Sequence, residues 1–168
     1  MSQSSDIILN HKQISHKLTR LAWQVFENNM DEAVIWIAGI DQRGMYIANI
    51  IASELAKISE QKIQIIRIEL DADTLEARYY SEFSMDNLHQ ETIVLVDDVL
   101  NTGKTLMMAM MPLVSKKVRK IQVAVLASRS HRLYPIRADF VGTSMATTLQ
   151  EHLNFDNSNE ADLKLILN

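Results

Sequence analysis

The stretch that decides the fold reads Ile93-Val94-Leu95-Val96-Asp97-Asp98-Val99-Leu100-Asn101-Thr102-Gly103-Lys104-Thr105. With Thr92 in front, it opens as the most strand-like run in the chain, short, apolar and rich in β-branched side chains, as in a strand buried on both faces. It ends in two adjacent acids, passes a turn of small amide and hydroxyl residues, and enters a helix from about residue 104. In open α/β sheets ligands sit beyond the carboxyl ends of the strands. Backbone amides in a tight turn and at a helix N-terminus favour a phosphate. Thr102 and Thr105 add hydroxyl donors, and Gly103 lets a ligand approach the backbone. One segment therefore offers carboxylates for a diol and a pocket for a phosphate monoester, and a sugar phosphate fits both. A Walker A reading of Gly103-Lys104-Thr105 fails, because the glycine it requires upstream is Asp98. An ordinary strand–turn–helix with a capping threonine does not account for the paired acids.

Working outward, Ile14, Leu18, Leu21, Ala22, Val25 and Phe26 recur at helical spacing, so residues 7–30 read as a helix with Asn10 or Ser15 as its cap. Val34 to Ile40 is a second buried strand, followed by a polar turn, Asp41-Gln42-Arg43-Gly44, and a helix through Tyr46, Ile47, Ile50, Ile51 and Leu55. Ile63 to Leu70 is a strand. Residues 71–91 are irregular and acidic, with a marginal strand or a mobile loop over Ala77 to Ser84. The methionine-rich helix after Lys104 contains Pro112, which kinks or remakes it. Ile121 to Ala127 and Asp139 to Gly142 are further strands, and the tail has two short alternating segments around a turn at 154–159. Strands alternating with helices imply an α/β domain with a mostly parallel sheet and flanking helices, here one domain over residues 1–168.

The composition of the 168 residues, 47% hydrophobic and 23% charged, suits such a domain. There is no cysteine, which excludes disulfides, thiolate metal sites and thiol nucleophiles. The net charge of −4 argues against an indiscriminate polyanion binder but leaves room for a local basic face. No run approaches the ~18 apolar residues of a membrane span, and the N-terminus lacks the regions of a signal peptide, so a cytoplasmic protein is expected. Only Gly39, Gly44, Gly103 and Gly142 occur, and such scarcity suggests that each sits where a Cβ is not tolerated. His11, His16, His89 and His152 lack metal-ligand spacing. Met107, Met108, Met110 and Met111 read as helix packing or a dimer face, and Trp36 as core.

The segment 93–105 closely resembles the phosphoribosyl pyrophosphate signature of type I phosphoribosyltransferases. Leu18-Thr19-Arg20-Leu21-Ala22, Ile37-Ala38-Gly39-Ile40 with Arg43-Gly44-Met45-Tyr46-Ile47-Ala48, His131-Arg132, and Pro135-Ile136-Arg137-Ala138-Asp139-Phe140-Val141-Gly142 look like one branch of that superfamily. That branch comprises the bifunctional pyrimidine operon regulators and uracil phosphoribosyltransferases. The resemblance implies the type I fold with a small β-rich hood. It implies that Asp97 and Asp98 bind the ribose hydroxyls and contribute to a Mg²⁺ site, and that Asn101, Thr102, Gly103, Lys104 and Thr105 hold the 5-phosphate. Asp41, Gln42, Arg43 and Gly44 would form the pyrophosphate loop, with Arg43, Asp97 and Asp98 as the catalytic set. Arg129, Ser130 and His131 would lie in the hood over the base. The magnesium would be held largely by pyrophosphate and ribose oxygens, as suits a hard ion that keeps its waters.

The implied activity is transfer of ribose 5-phosphate from phosphoribosyl pyrophosphate to a nucleobase, with uracil giving UMP and pyrophosphate. The alternatives are a pyrimidine-nucleotide-sensing, RNA-binding attenuation regulator with little catalysis, and a purine-type enzyme. Purine enzymes of the superfamily carry an acid where this chain has Asn101, and an amide is no base at neutral pH. The 71–91 segment is short for the pyrimidine branch and keeps only Arg78-Tyr79-Tyr80 of its polar-aromatic character. Ser128 and Ser130 also depart from the hood pattern. The regulator's messenger-RNA face would correspond to Thr19, Arg20, His131, Arg132 and Arg137. Within it Trp23 replaces an expected His and Thr143 an expected Lys. Trp23 reads either as a base-stacking residue or, more simply, as core or dimer interface. A homodimer or higher homo-oligomer is expected.

Overall fold

The computed structural model describes residues 6–71, 73–74, 76–146, 148 and 151–168. Ala72 and Leu75 of the irregular segment, and Leu149 and Gln150 of the tail, lie outside the described residues. The chain opens with strand β1 (Asp6–Leu9) and helix α1 (His11–Glu27). The expected single helix over 7–30 is thus shorter at both ends. Ile7 and Leu9 pair with the C-terminal strand instead, with a register shift between them, and Asn10 starts the helix through a capping box: Gln13 N donates to Asn10 Oδ1 at 3.0 Å and Asn10 N to Gln13 Oε1 at 2.9 Å. Ser15 lies inside the helix and donates to the His11 carbonyl.

Next come β2 (Val34–Ile40), α2 (Asp41–Ile58), β3 (Lys62–Leu70), β4 (Ala77–Tyr80) and a 3-10 turn at Met85–Leu88. They are followed by β5 (Thr92–Leu100), α3 (Lys104–Ser115), β6 (Lys120–Arg129), β7 (Phe140–Met145), β8 (Leu153–Asp156) and β9 (Lys164–Leu167). The main sheet has the order β4-β3-β2-β5-β6-β7, parallel throughout except for β4, which runs antiparallel to β3. β1, β9 and β8 form a small antiparallel sheet.

The period-2 alternation of β5 divides the core. Val94 and Val96 join α1, α2 and the small sheet on one face, whereas Ile93 and Leu95 join Leu106, Ala109 and Leu113 of α3 on the other. The alternation slips at the acid pair, so that Val99 rejoins the α1/α2 face and Leu100 the α3 face. At that slip the amides of Asp98 and Val99 donate to the carboxylates of Asp97 and Asp98, at 2.9 and 2.8 Å.

Several local expectations are corrected. The polar turn after β2 is the first turn of α2 itself, entered through Asp41 in the left-handed region at φ 50°. β5 continues through the acids to Leu100, because the backbone keeps its register with β6 as far as Ser128. α3 runs through Pro112, and Lys116 N bonds to both the Pro112 and Leu113 carbonyls, a 3-10 tightening that ends the helix. Ala77 to Tyr80 is a strand rather than a mobile loop, held by pairing with Arg67 to Leu70. Trp36 is core, as expected, but Trp23 is 44% exposed and not core. Its ring is set edge-on to Phe26.

The glycine expectation holds: at Gly39 and Gly142 an added Cβ would stand 2.4 Å from the Met45 Cα and from the Leu126 carbonyl oxygen. Only Gly103 has positive φ, at 88°. Gly44 is a close-approach residue: an added Cβ would stand 2.6 Å from the Val96 carbonyl oxygen, so α2 lies against β5 at that point. Gly142 lies inside β7 rather than ending a strand. Among the described residues, no helix is long and apolar enough to cross a membrane.

Candidate functional site

The carboxyl ends of β2, β3, β5 and β6 lie together because these strands are parallel. The end of β2 leads into α2 through Asp41, whose carboxylate accepts the Leu70 amide at 3.0 Å. That bond ties the turn to the end of β3 and supports a left-handed backbone that aspartate adopts more readily than most residues. Gln42 and Arg43 follow in the first turn, and both are exposed. Arg43 Nη1 lies 3.7 Å from Asp98 Oδ2, across the space between α2 and β5.

Asp97 is buried and Asp98 is partly open to that space. Burial, and then the neighbouring Asp98 carboxylate, push Asp97 well above the ordinary carboxylate range. The α3 end of the site is built on backbone. Gly103 occupies the N-cap position in the left-handed conformation and has no side chain of its own to cap α3. Thr102 Oγ1 accepts the Lys104 amide at 3.3 Å.

Two adjoining hollows result. A small one, of about 50 Å³, is lined by Asp97, Asn101, Thr102, Gly103 and Thr105 with apolar neighbours. A larger one, of about 450 Å³, is lined by Asp41, Gln42, Arg43, Asp97, Asp98, Asn101 and Thr105 together with Ile40 and Val99. The structure thus brings together the expected residues of both loops and the acid pair, apart from two. The Lys104 side chain is exposed and lines neither hollow, and Gly44 is buried against β5 as a spacer. Ile40 and Val99, the apolar part of the wall, were not singled out from sequence. Ile40 carried a signal, as the last apolar residue before the Asp41 turn, whereas Val99 is followed by Leu100 and carried none.

Of the hood residues, Arg129 is buried and bridges the site to the tail. Its Nη1 donates to Asn101 Oδ1 at 3.1 Å and its Nη2 to the Thr148 carbonyl at 2.8 Å. Ser130 is exposed and His131 half-buried. Beyond them the chain folds back over the phosphate-type turn: the amides of Leu133 and Tyr134 both donate to the Thr102 carbonyl at 3.0 Å.

The residues of the candidate nucleic-acid face come from two parts of the chain, Thr19 and Arg20 from α1 and His131, Arg132 and Arg137 from the segment between β6 and β7. Thr19 Oγ1 turns toward Glu54 of α2, at 3.5 Å. Arg20 Nη2 donates to the carbonyls of Val141 and Gly142, both at 2.8 Å, and Lys17 Nζ to that of Gly142 at 3.0 Å. These cations meet β7, the outer strand of the sheet, where no further strand pairs. Arg132 and Arg137 are exposed on the segment between β6 and β7, which is bonded to Thr102.

Residues 4–154 match the family model described as the phosphoribosyl transferase domain. The chain is 37% identical over 153 residues to the "Bifunctional protein PyrR" of Clostridium novyi, covering 86% of each chain. It is 30% identical over 173 residues to that of Pasteurella multocida, covering 94% of this chain and 96% of the other. Among solved structures, the hypoxanthine phosphoribosyltransferase of Trypanosoma cruzi superposes with a TM-score of 0.75 at 12% identity, over 95% of each chain. A hypoxanthine-guanine phosphoribosyltransferase of Bacillus anthracis superposes at 0.67 and 18%, over 85% of this chain and 84% of the other. At such identities those two establish the fold alone. The family match and the curated relatives go further, and the chain belongs to the phosphoribosyltransferases, within their PyrR-like family.

Proposed function

We propose that this chain is a pyrimidine-nucleotide-responsive, RNA-binding regulator that senses its ligand in a phosphoribosyltransferase pocket. The observation that carries the reading is the pair of hydrogen bonds from Leu133 and Tyr134 to the Thr102 carbonyl. The turn that would take the 5-phosphate is bonded directly to the segment bearing His131, Arg132 and Arg137. A phosphate that reorients the Thr102 peptide acts on that segment without an intermediary, and Arg129 makes a second link through Asn101. A ligand shifts such an equilibrium only by its differential affinity for the two arrangements.

In the pocket, Asp97 and Asp98 accept from the ribose hydroxyls, and the amides and hydroxyls of Thr102 to Thr105 donate to the phosphate. Arg43 leaves Asp98 to meet a pyrophosphate when one is bound. Mg²⁺ suits the donor set: two hard carboxylates stand at the strand end, while no group of three or more His, Cys, Asp or Glu forms an all-protein cage among the described residues. The bound ion would neutralise pyrophosphate charge.

Uracil phosphoribosyl transfer is the second reading. It is favoured by the acid pair, the amide-rich turn and Arg43 facing one hollow, the set that positions a ribosyl donor and balances its leaving group. Slow turnover is expected, because the segment that would close over the site is tied down. β4 pairs with β3, Leu88 is buried, and Lys116 Nζ holds Asp86 at 2.8 Å. Water exclusion by a closing loop is a main contribution of lids in such sites. A purine acceptor is disfavoured by Asn101, whose carbonyl oxygen already accepts from Arg129.

The test is RNA binding to a pyrimidine-operon leader transcript, measured by filter retention with and without UMP or phosphoribosyl pyrophosphate. The two ligands are expected to change the RNA affinity by about tenfold, a coupling of ordinary size. Arg132→Ala and Arg137→Ala are each expected to weaken RNA binding and reduce its salt dependence. An RNA affinity indifferent to both ligands, beside rapid UMP formation from uracil, would reverse the order of the two readings.

A further inference from the structure

The two anion-binding turns of the site belong to different helices, and one hairpin touches both. At one end the Leu70 amide donates to Asp41 Oδ1 at 3.0 Å, on the turn into α2. At the other the Tyr79 hydroxyl donates to the Ala109 carbonyl, inside α3. Between these points β3 and β4 are paired, Ile68 with Tyr79 and Leu70 with Ala77. After β3, Asp71 ties together the described residues that lead into β4. Asp71 N donates to the Glu76 carbonyl at 2.9 Å, and the Asp71 carboxylate accepts the amides of Asp73 and Thr74, each at 3.0 Å. The hairpin is thus a short brace rather than a long loop.

The Tyr79 end of the brace is built to stay engaged. The ring packs with Met85, Met107 and Met110 against the α3-side core. Burial holds the phenol above its ordinary range, so the hydroxyl keeps the proton it donates. The acceptor lies in a helix with one internal bond fewer than usual, since Pro112 has no amide for the Met108 carbonyl. The outside donor reaches the next carbonyl, that of Ala109, and so adds a hold on the helix one residue from that defect. α3 begins at the turn of Thr102 to Thr105, so fixing its middle fixes that turn.

We propose that Tyr79 is a positioning residue: through Ala109 it sets α3, and with it the Thr102–Thr105 turn, at a fixed spacing from the Asp41–Gly44 turn. A ligand that carries anionic groups at both turns, as phosphoribosyl pyrophosphate does, then meets a preset span. A ligand that reaches one turn only gains nothing from the brace. The inference rests on the reading of this pocket as a phosphoribosyl pyrophosphate site. It separates from a plain anchoring role for Tyr79, which would change stability or weaken every ligand alike.

The experiment is calorimetric titration of the full chain and of Tyr79→Phe with phosphoribosyl pyrophosphate, ribose 5-phosphate and pyrophosphate, each with Mg²⁺. The substitution keeps the ring in its packing and removes only the donor. Phosphoribosyl pyrophosphate is expected to bind about five- to tenfold more weakly, the effect of one lost hydrogen bond, while the other two ligands change by less than about twofold. An unchanged phosphoribosyl pyrophosphate affinity overturns the positioning role, as does an equal loss for all three ligands. A full chain that fails to bind phosphoribosyl pyrophosphate overturns the pocket reading itself, and shows this before any variant is made.

Discussion

Strand β5 begins and ends at a buried or half-buried carboxylate, and the two are treated in opposite ways. At its start Glu32 stands among donors: Thr92 Oγ1 at 2.9 Å, Lys120 Nζ at 3.3 Å, and Arg119, which also reaches Thr92 at 3.2 Å. Nearby, Gln61 Nε2 donates to the Glu32 carbonyl at 2.7 Å, and Asn29 Nδ2 to Gln122 at 2.8 Å. At its finish Asp97 is buried beside another carboxylate, and Arg43 reaches Asp98 rather than Asp97. The same end holds the two left-handed residues of the site, Asp41 and Gly103. One end of the strand satisfies its charge and holds four chain segments together. The other sets two carboxylates side by side, with a half-exposed Arg43 3.7 Å from Asp98 as their cation, which costs stability and presets the pair for a ligand.

The comparison is broken or sharpened most strongly at Asp97. Asp97→Asn keeps the shape and removes the acid that burial disfavours. The affinity for phosphoribosyl pyrophosphate is expected to fall about 100-fold or more, since hydrogen bonds to a charged partner are lost. The melting temperature at neutral pH is expected to rise by about 2–4 °C, the shift that ~1 kcal/mol produces in a domain of this size. Calorimetric melting beside ligand titration reads both. A variant that binds poorly and also melts earlier would mean that Asp97 supports the fold, and the contrast with Glu32 would be gone.

Glycine gives the next largest effect, again at the site end. Gly44→Ala drives a Cβ toward the Val96 carbonyl oxygen, on backbone that carries Asp97 directly after it. Overpacking of this kind is expected to cost about 3 kcal/mol and to weaken ligand binding with it. Gly103→Ala meets only ordinary contacts, the nearest at 3.4 Å, and bears the left-handed backbone instead. About 1 kcal/mol is expected there. Chemical denaturation separates the two, and a larger loss at Gly103 would place the constraint in the turn rather than in the approach of α2 to β5.

Those two glycines also show what the sequence made legible. Segment 93–105 was readable because its parts are local: apolar residues at strand length, then acids, then small turn residues, with the site residues contiguous on each loop. The site therefore followed from two short stretches. What the sequence hid depends on partners far along the chain. Nothing around Gly44 indicates that α2 touches β5, and nothing near the N-terminus indicates that Ile7 and Leu9 pair with the last strand rather than begin α1. Arg20 looks like a free surface cation until β7 is seen to end the sheet beside it, with Val141 and Gly142 carbonyls to bind. Tyr79 belongs to a marginal alternation, and only the position of α3 gives its hydroxyl an acceptor. Helical spacing places Trp23 near Leu21 and Phe26 and leaves core, dimer interface and base stacking open, because the periodicity does not say where the buried face stops.

The smallest effect is expected at the satisfied end, and its pH dependence makes it diagnostic. Burial alone would raise the Glu32 pKa, but the Thr92 hydroxyl, Lys120 and Arg119 together hold it below the ordinary value. A carboxylate with a lowered pKa in the fold contributes stability above its unfolded pKa, and that contribution is lost as the pH falls through the folded value. Glu32→Gln is therefore expected to destabilise the chain by about 1 kcal/mol at neutral pH, a modest loss because Arg119 is half exposed. The gap should close as the pH falls through the lowered folded value, below the ordinary glutamate range, where the wild-type carboxylate takes its proton. Denaturation of both proteins across that range measures it. Asp97→Asn should show the reverse trend, its gain shrinking as the pH falls. Parallel pH profiles for the two variants would mean that the ends of β5 do not differ in the way their charges are held.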